Sequence, residues 1–222
     1  FRGLVANLRG LGPLRRDGWD LTALWEPKVI TTSTLNSLNV DRERYGGLLR
    51  FAIDPAGTAW WQGSWLETRE WPILGSQNLA PRQEGANFVN ELHFDPFRGV
   101  LAGDFILGMS DEAATRRRAY TAALGGRWKN LSYRGEYKHG EPNYARMSGT
   151  GLRTDFSGWD LNASGQFLKG VLALTGQAAQ GHDNVLRQNP FATWTNAYAG
   201  GASLTIRNWP PIQDTYTAPS TY

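Results

Sequence analysis

The first candidates for a metal site are the three histidines, His93, His139 and His182, which stand far apart in the sequence. A metal site needs ligands that converge on one ion. The chain has no cysteine, so thiolate ligands and disulfides are both excluded. His139 and His182 also fall in segments predicted as long loops. We interpret the histidines as ordinary polar positions and predict no metal and no cofactor.

The remaining residues do not predict catalysis. The stretch "GTGLRT" (149–154) lacks the third glycine and the strand-to-helix setting of a dinucleotide-binding fingerprint. No Gly-x-Ser-x-Gly nucleophile elbow occurs. Acidic residues are numerous, but no pair stands out as acid and base. The expectation is a protein that is not an enzyme.

Charge gives one further candidate, the run Arg116, Arg117 and Arg118. It could bind anionic lipid head groups or surface polymers, or it could be an ordinary solvated run of charge. The formal net charge of the whole chain is only +3, which is too balanced to predict binding to nucleic acid.

The elements that position these residues are predicted from the alternation of apolar and polar side chains, which is clearest in "NLSYRGEYK" (130–138). Successive side chains of a strand point to opposite faces. One face of this stretch is apolar and aromatic, with Leu131, Tyr133, Gly135 and Tyr137. The other face is polar and charged, with Ser132, Arg134, Glu136 and Lys138. Such a strand suits either a half-buried soluble sheet or a wall with lipid on one side and water on the other.

The same period of two recurs along the chain. It is found in "GWDLTALWE" (18–26), "YGGLLRFAI" (45–53), "NFVNELHF" (87–94), "GVLAGDFIL" (99–107), "GWDLNASGQFL" (158–168) and "AYAGGASLTIR" (197–207), and in "TAWWQGSWLE" (58–67), where Trp60 breaks the pattern. These segments approach the ~9–11 residues with which a strand crosses a bilayer. Helical periodicity is scarce. "SDEAATRRRAYTAAL" (110–124) begins like a capped helix at Ser110 but continues as a strand.

The connections between these segments alternate in length. Tight turns are predicted at 54–57, 95–99, 127–130, 168–170 and 208–211. Longer connections are predicted at about 27–44, 68–85, 109–117, 139–157 and 181–194. Such alternation is typical of an antiparallel meander whose two ends face different surroundings. Aromatic residues also cluster beside the tight turns, where an interfacial girdle is expected.

With its hairpins "GRWKNLSYRGEYKHG" and "GWDLNASGQFLKGVLALTGQAAQG", the chain resembles the bacterial outer-membrane β-barrel proteins. The resemblance covers nearly the whole of residues 1–222, treated as one domain, and lies in the pattern rather than in a signature motif. It implies an all-β, antiparallel up-and-down transmembrane β-barrel, or a contiguous part of one, of about 11–12 strands. A bacterial outer-membrane location is implied as well.

The parity then assigns the two faces. Residues expected against lipid are Leu131, Tyr133, Leu161, Ala163, Leu172, Leu174, Leu204 and Ile206. Residues expected in the lumen are Asp20, Glu26, Arg50, Glu91, Asp104, Arg127, Arg134, Glu136, Lys138, Asp160 and Arg207. Because the lumen charges are of mixed sign, they indicate a water-filled passage or a plugged lumen rather than a strongly ion-selective ring.

The expected function is passage of a solute or polymer through the barrel. The alternatives are a structural envelope barrel with a closed or plugged lumen, and a soluble β-sandwich that binds carbohydrate through exposed tryptophans. The expected partners are membrane lipids and other barrel segments or envelope subunits. Eleven strong strands plus a weak one at 212–219 also predict a sheet that does not close within these residues, leaving the strand near residues 4–11 with an open edge.

Overall fold

The structure is a computed structural model that describes residues 4–9, 19–32, 39–54, 56–73, 83–112, 115–145, 154–206 and 209–221. These ranges contain twelve β-strands. They are β1 (Leu4–Arg9), β2 (Trp19–Thr32), β3 (Asn39–Ala52), β4 (Ala59–Pro72), β5 (Gln83–Phe94), β6 (Ala102–Glu112), β7 (Thr115–Trp128), β8 (Leu131–Gly140), β9 (Phe156–Phe167), β10 (Leu172–His182), β11 (Trp194–Leu204) and β12 (Ile212–Thr221).

The strands form one sheet in sequence order, and each strand pairs antiparallel with the next. This up-and-down meander confirms the predicted all-β antiparallel architecture. Among the described residues β1 and β12 do not pair with each other, so the sheet has two open edges. The expectation that these strands do not close a barrel by themselves is therefore confirmed. The weak segment at 212–219 is a full strand, β12.

Several predicted connections are wrong because the strands run further than the apolar alternation indicates. β2 extends to Thr32 and β3 begins at Asn39, so most of the predicted long connection at 27–44 is strand. The predicted connection at 109–117 lies almost wholly within β6 and β7. Ser110, expected to begin a helix, is part of β6. In both places the backbone ladder continues beyond the apolar alternation, in β2 after a register shift between Glu26 and Val29. Backbone pairing does not require an apolar side chain.

The end of β11 also differs from the expectation. The strand stops at Leu204, and Ile206 lies in the connection that follows, where its carbonyl accepts a hydrogen bond from the Trp209 amide at 3.1 Å. Ile206 is thus not a residue of a strand face, although it is exposed. Arg207 lies outside the described residues.

Two Asp residues organise the turns that follow β3 and β5. The Asp54 carboxylate accepts hydrogen bonds from the Thr58 hydroxyl and the Ala59 amide, both at 2.7 Å. The Asp95 carboxylate accepts from the Gly99 amide at 2.5 Å. Gly57 and Gly99 have φ of 69° and 88°, a region that favours glycine. The two Asp-Pro segments of the sequence therefore reverse the chain by the same local chemistry.

The hydrogen bond from the Thr58 hydroxyl, assisted by that from the Ala59 amide, lowers the pKa of Asp54 below its ordinary value. A carboxyl group whose pKa is lower in the folded state adds stability above the unfolded pKa of about 3.9. That stability is lost as the pH falls through the folded pKa. We expect Asp54→Asn to remove this part of the acid sensitivity, measured as urea unfolding between about pH 2 and 6. A pH dependence identical to that of the unsubstituted protein would contradict the role assigned to this turn.

No helix within the described ranges has the length and apolar character needed to cross a membrane.

Candidate functional site

The register of the sheet defines its two faces, because residues directly opposite each other in an antiparallel pair share a face. One continuous row joins Asp104 of β6 to Ala123, Glu136 and Asp160 of β7, β8 and β9. We name the face that carries this row the polar face. The opposite face, which carries Leu131, is named the apolar face.

The structure places the residues predicted for the lumen together on the polar face. Those described are Asp20, Glu26, Arg50, Glu91, Asp104, Arg127, Arg134, Glu136, Lys138 and Asp160. Residues of β2 to β9 therefore share one surface although the sequence separates them widely. Their role as the lining of a passage stays a prediction.

The residues predicted against lipid lie on the apolar face, apart from Ile206. They are Leu131, Tyr133, Leu161, Ala163, Leu172, Leu174 and Leu204. Many large apolar side chains of this face are exposed, including Leu161 at 52% and Leu124 at 53%. A continuous exposed apolar surface is a liability in water and is typical of a face that contacts another apolar phase.

Aromatic residues border this apolar surface on both sides. Near the tight turns stand Trp19, Phe51, Trp61, Phe94, Trp128 and Phe167, and towards the other ends of the strands stand Trp25, Tyr45, Trp65, Phe88, Tyr120, Tyr137, Trp159 and Tyr198. Trp19 and Trp25 are separated by roughly 20 Å along β2. Two aromatic rows around an apolar band are the arrangement found at the interfaces of membrane barrels.

The arginine run is divided by the alternation of β7. Arg116 and Arg118 are exposed, whereas Arg117 pairs with Ser110 and points to the polar face. The Nε atom of Arg116 lies 3.2 Å from Oδ2 of Asp111. Arg116 and Arg118 therefore lie on the apolar face and Arg117 on the polar face. The contact of all three with lipid head groups stays a prediction.

Trp60, which breaks the sequence alternation, lies on the polar face at the tight-turn end. Its ring stacks on the His93 ring with centroids 5.2 Å apart, and the Arg50 guanidinium lies 4.1 Å from its centre. His93 Nδ1 is 2.6 Å from Oδ1 of Asp104. Arg50, Trp60, His93 and Asp104 therefore link four strands by stacking and charge, and the tryptophan bridges the charged residues on this face.

A second charged network occupies β8 and β9. The Lys138 ammonium lies 2.9 Å from Glu136 and 3.9 Å from Asp160, and the Arg134 guanidinium lies 3.7 Å from Glu136. These pairs are half-exposed, so each contributes little to stability. The two signs therefore offset each other locally within this network.

The polar face is buried near the ends of the strands opposite the tight turns. Arg42 is 7% exposed and Glu70 is 1% exposed. Both Nε and Nη2 of Arg42 donate to Oε1 of Glu70, at 2.8 and 2.5 Å. Neighbouring polar side chains on β4, β5 and β6 are buried too, namely Thr68, Asn87, Ser110 and Glu112. This cluster was not predicted, because neither alternation nor composition shows which end of a polar face is covered.

The segment 141–145, which follows β8, folds back over the polar face. Its Tyr144 is 2% exposed and donates its hydroxyl to Oδ1 of Asn87 at 2.9 Å. The Ala145 amide donates to the Ser110 hydroxyl at 3.1 Å. The sequence gives no sign of this contact beyond an aromatic residue in a predicted loop. The arrangement brings a connection from β8 onto β5 and β6.

Gly108 makes room for this contact. A Cβ atom on Gly108 would overlap the Tyr144 hydroxyl and ring. We expect Gly108→Ala to displace Tyr144 and to raise the rate of chymotryptic cleavage after that residue severalfold, because cleavage requires an accessible backbone. Gly176→Ala is the matched control, since a Cβ there has no atom within 4 Å. Equal cleavage rates in the two variants would mean that the Tyr144 contact does not hold the segment in place.

No protein-family model, no curated protein and no solved structure matches this chain. Within the described part of the chain there is also no group of three or more histidine, acidic or cysteine residues that could hold a metal ion.

Proposed function

We propose that the chain forms the wall, or a contiguous part of the wall, of a β-barrel in a bacterial outer membrane. In this proposal the apolar face contacts lipid and the polar face lines a passage for a solute or polymer. One observation carries the proposal: between the two aromatic rows, β2 to β9 of one antiparallel sheet carry their large exposed apolar side chains mainly on one face and their charged side chains on the other. The open edges of β1 and β12 would pair with further strands, because unpaired backbone groups in hydrocarbon cost several kcal/mol each.

The test of the fold proposal is the requirement for a membrane-like environment. We expect the purified protein to stay folded and monodisperse only in detergent or lipid. A protein that stays folded and monodisperse in plain buffer would contradict the membrane proposal. The soluble sandwich remains the rival, although most sandwiches join their strands by Greek-key connections rather than by a simple meander.

The test of the passage is single-channel conductance in planar bilayers. We expect discrete conductance steps from the inserted protein. The absence of steps from a protein shown to be inserted would favour the structural alternative, a barrel whose lumen is closed. That alternative has an observation of its own, because the segment 141–145 lies on the polar face. Tyr144→Ala tests whether this segment narrows the passage. Conductance steps larger than those of the unsubstituted protein indicate a passage narrowed by Tyr144.

A further inference from the structure

Five aliphatic side chains interrupt the polar face, one on each strand from β2 to β6. They are Leu24, Leu48, Leu66, Val89 and Ile106. Each is half-buried in the structure. A face that only lines a water-filled passage has no need of such residues, and leaving their apolar surface in water is unfavourable. Alternation alone does not reveal them, because they fall on the parity assigned to polar residues.

These side chains are neighbours. Leu48 lies opposite Ser64, which lies opposite Val89, and Leu66 lies opposite Gly46. Together with Thr22, Asn87 and Glu91 they line an open pocket of about 480 Å³. Gly46 allows the close approach of β4, since a Cβ there would overlap the Trp65 carbonyl oxygen and press on Leu66.

The size and lining of the pocket fit a small ligand. Ligand sites commonly measure ~300–1,000 Å³ and combine an apolar lining with a few polar groups. Here the polar groups are the Ser64 hydroxyl and one carboxylate, Glu91. The Thr22 hydroxyl and the Asn87 amide also line the pocket, but the first donates to Asn7 and the oxygen of the second accepts from Tyr144.

The charges around the pocket do not favour an ionic ligand. Glu91 at the rim repels an anion. Arg50, on the same side, lies over the Trp60 ring and opposite Asp20. Beyond the other end, Arg44 lies opposite Glu26 and Arg42 is held by Glu70. An uncharged molecule therefore suits the pocket better than a charged one.

From this geometry we propose that the pocket binds an uncharged apolar solute, an alkyl chain or an aromatic ring. The inference deepens the proposed function, since it depends on the polar face being a lumen. The contrast with β8–β12 supports it. There the polar face has a second pocket of about 420 Å³, whose lining includes Ser132, Asn162, Ser164, Thr175, Gln177 and Thr217. Those hydroxyls and amides offer hydrogen bonds but no comparable aliphatic surface.

The experiment uses the absence of native cysteine. Single Cys variants at Ser64, in the apolar pocket, and at Thr175, in the polar pocket, are labelled with a water-soluble thiol reagent in proteoliposomes. The probe is 1-hexanol, and 1,6-hexanediol of equal chain length is the more polar control. At ten times its dissociation constant, a ligand that blocks the site reduces the labelling rate of Ser64→Cys roughly tenfold by mass action. We expect no protection at Thr175→Cys and weaker protection by the diol.

Two further variants connect the protection to the aliphatic lining. Leu66→Asn, and separately the nearly isosteric Val89→Thr, should reduce the protection of Ser64→Cys by 1-hexanol. Rapid labelling of Ser64→Cys without protection by hexanol, or equal protection at Thr175→Cys, would overturn the inference and leave the passage intact. Failure of Ser64→Cys to label in the absence of any alcohol would instead contradict the water-filled polar face, and the inference with it.

Discussion

Replacing Ala163 by arginine should destabilise the membrane-inserted protein by about 2–4 kcal/mol, the cost of a cation on the lipid face near the bilayer midplane. Ala163 is exposed on the apolar face, between Trp159 and Phe167 of β9. Under the proposed membrane location, a guanidinium at this position would have hydrocarbon around it and could reach water only by extending along the strand. The measurement is guanidinium-induced unfolding in liposomes, followed by the fluorescence of the tryptophans.

The next residue supplies the control. Ser164 points to the polar face, opposite Ser132 and Thr175. Ser164→Arg adds the same charge in a wet, hydroxyl-rich setting, and we expect it to change stability by no more than about 0.5 kcal/mol. If Ser164→Arg proves the more damaging substitution, the two faces have been assigned in reverse. If both are tolerated equally, lipid does not contact the apolar face.

The sequence predicts much of this architecture because a β-strand has a short and regular period. In β8 the alternation of "SYRGEYK" alone divides charged from apolar residues, and the register then joins the charged sets of β2 to β9. Strand order follows as well, since tight turns such as that at Asp54 force neighbouring strands to pair. Alternation therefore identifies the faces without any knowledge of neighbours.

What could not be predicted depends on contacts across the sheet. The regular alternation ends near Glu26, where the register of β2 shifts, so the sequence places a loop at 27–44 although β2 and β3 continue as strands. Trp60 breaks the local pattern, and only the register shows that it meets Arg50 and His93. Tyr144 reaches Asn87 over a long sequence separation, which a local pattern cannot encode.

The largest effect on stability is expected at the buried ion pair. Arg42 is 7% exposed in the intact protein, and Glu70→Ala removes the carboxylate to which its Nε and Nη2 donate. Removing one partner of such a pair costs about 3–5 kcal/mol, because the remaining charge stays in a poorly solvated site. We expect a loss of that order in equilibrium unfolding of the protein in liposomes.

The double variant Arg42→Met with Glu70→Leu tests the cause of that loss. It removes both charges and keeps similar volume, and such replacements are often neutral or stabilising. We therefore expect the double variant to be more stable than Glu70→Ala by at least about 2 kcal/mol, measured in the same way. If the double variant is as unstable as Glu70→Ala alone, the loss arises from packing or from other neighbours of Glu70. In that case the buried charge of Arg42 would not be the main cause of the lost stability.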